Sequence, residues 1–144
     1  MRRIAIVLAL AVLPVCNVAR AHGQAGGRHV PAVFEGSWKG SGTQSDNPGV
    51  EWTIALTLGD GAPGQVIGTM TYPSLACGGD LILRDVGNGY VELLERITFG
   101  NCADGGVVTL VPNQRAGGLG YNWRLDGTTV TARGQLQRAQ PPAS

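Results

Sequence analysis

Between residues 35 and 137 apolar side chains recur with a period of two, and Gly, Asn, Asp or Pro break the pattern every eight to twelve residues. Alternation of this kind sends successive side chains to opposite faces of a strand, and regular breaks keep the strands short, so the chain is expected to be all-β, a barrel or a sandwich. The clearest case is Val50 to Leu58, where Val50, Trp52, Ile54, Leu56 and Leu58 share one face and Glu51, Thr53, Ala55 and Thr57 the other. The first of these faces is the expected core. The same reasoning turns inward Gly36, Trp38, Gly40 and Gly42 on the first strand, and Val66, Gly68, Met70 and Tyr72 on the third. It does so for Leu119, Tyr121, Trp123 and Leu125 on the seventh strand, and for Val130, Ala132, Gly134 and Leu136 on the last. Strands are expected at about 35–43, 50–58, 65–72, 79–84, 89–99, 106–112, 118–125 and 128–137. Eight consecutive antiparallel strands with short turns suit an up-and-down meander closed into a small barrel, with a two-sheet sandwich as the alternative. Glycine on the inward faces fits tight curvature or close strand approach.

The first residues read as a targeting device. Arg2 and Arg3 form a basic start, Ile4 to Val15 an apolar stretch, and Ala19-Arg20-Ala21 the small-x-small pattern of a signal peptidase site, so residues 1–21 are expected to be removed after Ala21. The apolar stretch falls well short of the roughly 20 residues that cross a bilayer, and no transmembrane segment is expected. Leu13-Pro14-Val15-Cys16 offers Cys16 as a lipid anchor but lacks the small residue that should precede the cysteine, which leaves a secreted or periplasmic protein as the expectation. Residues 22–32 are Gly-rich and aperiodic and read as a flexible leader, 33–138 as a single domain, and 139–144 as a disordered tail. The whole chain carries a formal net charge of +1, and loss of Arg2, Arg3 and Arg20 turns this into a slight acidic excess. With no cluster of positive charge, a nucleic-acid partner is not expected.

Cys77 and Cys102 remain after the signal, and in an oxidising compartment they most simply form one disulfide. Closing that loop stabilises by about 3.5 kcal/mol on a chain-entropy estimate. Neither cysteine lies in a CxxC pair or beside a histidine, which weakens the reading as a reactive thiol or metal ligand. Cys77 falls in the turn before the fourth strand and Cys102 in the turn after the fifth, both at one end of a meander. The disulfide is therefore expected to pin one rim and leave the opposite end less constrained.

One residue breaks the alternation. Glu95 shares a face with Val91, Leu93, Ile97 and Phe99, and an inward carboxylate costs several kcal/mol unless paired or hydrogen-bonded. Tyr72, Tyr121 and Arg124 are its candidate partners. Glu95 reads as a general acid or a polar anchor for a ligand, or else as part of the framework. The framework reading is favoured because a lone carboxylate lacks the second group that glycoside chemistry demands. The inward aromatics Trp38, Trp52, Phe99, Tyr121 and Trp123 either line a pocket for an apolar or sugar ligand or fill the interior, and three tryptophans weigh towards filling it. Should a pocket exist, its ligand-binding candidates are Trp38, Tyr72, Glu95, Tyr121 and Trp123. No histidine follows residue 32, which removes Ser-His-Asp triads and histidine-ligated zinc from the domain. No cofactor, metal site or enzymatic activity is expected.

Gly36-Ser37-Trp38 resembles the G-x-W that opens lipocalins, avidins and small periplasmic metalloprotease inhibitors, all of them eight-stranded meander barrels. A wider set, from Trp38 and Gly40 through Tyr72-Pro73, Cys77-Gly78-Gly79, Leu81, Leu93-Leu94-Glu95-Arg96-Ile97-Thr98, Cys102, Val108, Leu110, Tyr121 and Trp123 to Gly134–Leu136, resembles a second group. These are poorly characterised small secreted β domains of bacteria, sometimes attached to the outer side of membrane-anchored serine/threonine kinases. The resemblance implies an extracellular module with one disulfide, in which Glu95 and the cysteine pair belong to the framework. The dense polar set of a biotin site cannot be assembled from these strands. The expected function is a secreted or periplasmic non-enzymatic binding or interaction module whose partner is a small apolar molecule or an extracellular protein. The alternative is an inhibitor of a hydrolase, with the leader entering the enzyme cleft. Intact mass spectrometry of the secreted protein is expected to find an N-terminus at His22 and no free thiol; a diacylated cysteine at the N-terminus would instead establish the lipid anchor.

Overall fold

Eight antiparallel strands follow one another round a ring: β1 (Gly36–Gln44), β2 (Asn47–Leu58), β3 (Val66–Tyr72), β4 (Cys77–Gly87), β5 (Tyr90–Phe99), β6 (Val107–Asn113), β7 (Gly118–Arg124) and β8 (Thr131–Arg138). This computed structural model describes residues 28–140; the expected signal sequence, Cys16, the leader up to residue 27 and the tail from 141 lie outside the described residues. Each strand pairs with the next, and β8 returns to pair with β1 from Trp38–Arg138 to Gln44–Ala132, so the barrel is closed and the sandwich alternative falls away. One turn of 3-10 helix, Pro73–Leu75, joins β3 to β4. Among the described residues no helix is long and apolar enough to cross a membrane.

Closure demands close approach between the first and last strands, and Gly40 provides it. A Cβ at Gly40 would lie 1.9 Å from the Gln135 carbonyl oxygen. Inside the ring Ile54, Leu56, Met70, Leu81, Leu83, Leu93, Leu110, Leu119 and Leu136 form the buried core, as the alternation predicts for most of them.

The pattern fails where bulges or an overhang intervene. Val50 is exposed (48%), because β3 pairs with β2 only from Ala55 to Leu58 and the upper part of β2 stands clear of that neighbour. On β3 a register shift between Val66 and Gly68 reverses the facing, so that Ile67 is buried in place of Val66. A second shift, opposite Gly78 and Gly79, places Thr98 as an extra residue on β5 and turns Phe99 outward, 51% exposed, where an inward aromatic is expected. Such bulges insert one residue and so invert the face of everything beyond them.

The two ends of the barrel differ. At one end lie the β1–β2 turn, the 73–76 connection, the 100–106 loop and the 125–130 loop. The disulfide joins Cys77 to Cys102 at this rim with Cα atoms 6.0 Å apart, and Cys77 is the first residue of β4 and not a turn residue before it. The opposite end is closed, which corrects the expectation of a less constrained rim. Val30 and Phe34 are buried there, Val30 N–H donates to Gly61 O, and Trp38 Nε1–H donates to Phe34 O at 2.8 Å. Arg138 stacks 4.4 Å from the centre of the Trp38 ring and donates to Glu35 O, tying the last strand to the entering chain. The expected leader thus includes, from Arg28 onward, an anchored plug: Arg28 donates to Val86 O, and His29 meets Asp60. Apolar side chains at Val30 and Phe34 escape a strand-period reading because they lie in non-strand chain.

Removing the plug's largest side chain leaves a cavity that rigid strands cannot collapse, so Phe34→Ala is expected to cost about 3–5 kcal/mol in urea unfolding. A cost below about 1 kcal/mol would show that the plug does not seal the core.

Candidate functional site

Three strands aim polar side chains into the disulfide end of the barrel. β5 supplies Glu95, β3 its last residue Tyr72, and β7 Tyr121 and Trp123, all placed by the same inward alternation that fills the core lower down. Glu95 is 2% exposed. The Tyr72 hydroxyl donates to Glu95 Oε1, and Trp123 Nε1–H donates to Oε2 at 2.6 Å. The Tyr72 and Tyr121 hydroxyl oxygens lie 2.6 Å apart. Since Tyr72 has given its only hydrogen to the carboxylate, Tyr121 is the donor to Tyr72. The result is a directed relay, Tyr121 to Tyr72 to Glu95, met from the far side by Trp123. Among the described residues no buried side-chain nitrogen or oxygen lacks a partner.

Of the three expected partners of Glu95, Tyr72 is direct, Tyr121 acts through Tyr72, and Arg124 is not a partner. Arg124 lies on the outside of the barrel, paired with Glu92 at 3.1 Å and with Asp126. Trp123 takes the place foreseen for an arginine. A glycine makes that bond geometrically available: a Cβ at Gly106 would sit 2.0 Å from Trp123 Nε1 and 2.5 Å from Glu95 Oε2. Gly106 O also accepts the Glu95 backbone N–H. Spacing alone could not have singled out Gly106, which sits at the end of a loop.

Above this cluster lies a cavity of about 550 Å³, lined by Trp52, Tyr72, Glu95, Tyr121 and Trp123 and, towards its mouth, by Gln44, Leu75, Cys102, Leu125 and Val130. Trp52 stands edge-on to both tyrosine rings, 5.1 Å from Tyr72 and 6.2 Å from Tyr121 between centroids. Four of the five ligand-binding candidates therefore converge. Trp38 does not: it belongs to the plugged end, although it faces inward as expected, because period two fixes a face and not a height along the barrel axis. Trp52 takes the place of Trp38 in the aromatic wall. The interior is both filled and hollow, with aliphatic side chains packing the lower part and aromatic ones bordering the cavity.

No protein-family model, curated protein or solved structure matches the chain.

Burial pushes the Glu95 carboxyl above its usual range, the two donors from Tyr72 and Trp123 pull it back, and the negative charge of Asp104 adds to the rise. Burial first, and then the neighbouring acidic groups, hold Tyr72 and Tyr121 well above the ordinary phenol value, so both are neutral donors. A carboxyl with a raised folded pKa binds its proton more tightly in the native state than in the unfolded chain. Its contribution to stability is complete below the ordinary value of 4.5 and is lost as pH rises through the folded value. In Glu95→Gln the amide oxygen can face Trp123 while the amide NH₂ donates to Tyr72, whose hydrogen turns to Tyr121 and displaces the Tyr121 hydrogen towards the cavity, so residue 95 keeps both of its hydrogen bonds. Urea unfolding across pH is expected to show the stability difference moving steadily in favour of Glu95→Gln as pH rises; a flat difference, or one moving the other way, would refute the assignment.

Proposed function

We propose that the chain is a secreted or periplasmic, non-enzymatic binding module that takes one small organic molecule into the mouth of its barrel. The observation that carries this reading is the cavity of about 550 Å³ beside Glu95, bordered by Trp52, Tyr72, Tyr121 and Trp123. Its size falls within the roughly 300–1,000 Å³ of small-molecule sites, and its character, apolar walls with a few convergent polar atoms, is that of a binding pocket. Strands hold these side chains, and the hydrogen-bonded cluster fixes their rotamers, so the site is formed before a ligand arrives.

A non-enzymatic role is favoured because Glu95 is the one carboxylate among the lining residues, and both of its oxygens already accept hydrogen bonds. General acid–base chemistry would need a second group placed across the cavity. The signal-like start of the sequence and the formed disulfide favour an oxidising compartment outside the cytoplasm. Inhibition of a hydrolase by an inserted leader draws no support from residues 28–32, whose Val30 is buried in the barrel floor.

The uncharged apolar dye N-phenyl-1-naphthylamine serves as the probe. It is expected to bind saturably at one molecule per barrel with enhanced emission, and Val130→Trp, which fills the mouth, is expected to weaken binding at least about tenfold. Absence of saturable binding, or binding that Val130→Trp leaves unchanged, would overturn the cavity as the site.

A further inference from the structure

Glu95 poses an electrostatic problem that the protein alone leaves open. Its two oxygens accept from a phenol and an indole, both neutral, and among the described residues none of the ion pairs involves it. Among the described residues no Lys, Arg or His lines the cavity. The one charge that acts on Glu95 from nearby, Asp104, has the same sign. A buried carboxylate without a counter-ion is costly, and neutral hydrogen bonds offset only part of that cost. Such a group is relieved either by a proton, towards which burial pushes it, or by a cation from outside, and the route for a cation is present, since the cavity reaches from the mouth to Glu95. Each carboxylate oxygen has accepted one hydrogen bond and retains a second lone pair. The walls add to the same preference, because four aromatic rings border the cavity and aromatic faces attract cations, most strongly when desolvated. A fatty acid or other anion would meet Glu95 with like charge. A neutral sugar would leave the carboxylate uncompensated.

We propose that the cavity selects an organic cation, a protonated amine or quaternary ammonium on a compact apolar body, with Glu95 as its counter-ion and Trp52, Tyr72, Tyr121 and Trp123 as its aromatic enclosure. This rests on the binding reading above and adds the ligand's charge to it. The charged nitrogen lies at the Glu95 end, and the apolar body lies towards Leu75, Leu125 and Val130 at the mouth.

Three probes of nearly equal shape separate charge from apolar fit: 2-phenylethylammonium, 2-phenylethanol and phenylacetate, titrated by calorimetry against the intact, oxidised protein at neutral pH. The ammonium is expected to bind at least about tenfold more tightly than the alcohol, and phenylacetate more weakly than either. In Glu95→Gln the advantage of the ammonium over the alcohol is expected to vanish. Equal affinity for ammonium and alcohol in the wild-type protein, a preference for phenylacetate, or an ammonium preference that survives Glu95→Gln would each overturn the proposal. If N-phenyl-1-naphthylamine binds while none of the three probes does, the cationic ligand is excluded and the cavity reading stands; if the dye fails as well, both fall. The wild-type comparison needs no variant, so the proposal stays exposed even if Glu95→Gln proves unstable.

Discussion

A meander of eight strands keeps two open edges until its first and last strands meet, and every other feature of this protein follows from that meeting. β1 and β8 pair along most of their lengths, with backbone so close at Gly40 that no side chain fits between it and Gln135. Closure satisfies the edge hydrogen-bonding groups that would otherwise recruit another chain. It also makes the interior narrow, so that a few large side chains decide whether any level of the barrel is solid or hollow. At one end Phe34 and Trp38 fill the bore, and Arg138 clamps the Trp38 ring to the entering chain. At the other, Trp52, Tyr121 and Trp123 stand back against the wall, drawn aside by one another and by Glu95.

Glu95 acts as a brace as well as a charge. Through Tyr72 and Trp123 it links β5 to β3 and β7 across the barrel, and Tyr121 extends the link. A leucine at this position would avoid the desolvation of the carboxylate but would leave the Tyr72 hydroxyl and the Trp123 N–H buried without an acceptor, so the two donors bind Glu95 into the framework. The same carboxylate borders the cavity, and each of its oxygens keeps a lone pair beyond the bond it accepts.

The alternation made the eight strands, their inward faces and the anomaly at Glu95 legible, since each depends only on period two and turn residues. What escaped the pattern has specific physical causes. The shifts at Ile67 and Thr98 add a residue to a strand without changing its composition, so Val66 and Phe99 read as inward when they are not. Val50 reads as core because periodicity says nothing about where a neighbouring strand stops. Height along the axis is equally silent: Trp38 and Trp52 face the same interior, yet one is in the floor and the other in the cavity wall, because Trp38 lies near the start of β1 while Trp52 pairs opposite Gly42 near its end. Val30 and Phe34 were hidden for another reason. A plug needs only apolar volume at the right place, and a Gly-rich stretch with two apolar residues carries no periodic mark of it.

The disulfide gains meaning from this arrangement. As a staple it constrains the unfolded chain, as any such link does. Yet Cys102 also lines the cavity mouth, and it begins the short run of chain that ends at Gly106, whose carbonyl receives the Glu95 N–H and whose missing side chain lets Trp123 reach Oε2. Within that run Asp104 accepts the Ile97 N–H at 2.8 Å, folding the loop back onto β5. Cys77, at the other end of the link, is the first residue of β4 and follows the helical turn after Tyr72, the residue that donates to Oε1. The covalent bond therefore joins the stretch that follows Tyr72, one donor to Glu95, to the run whose Gly106 leaves room for the other donor, Trp123 of β7. It fixes the distance between them in a region where the strands end and backbone pairing can no longer do so.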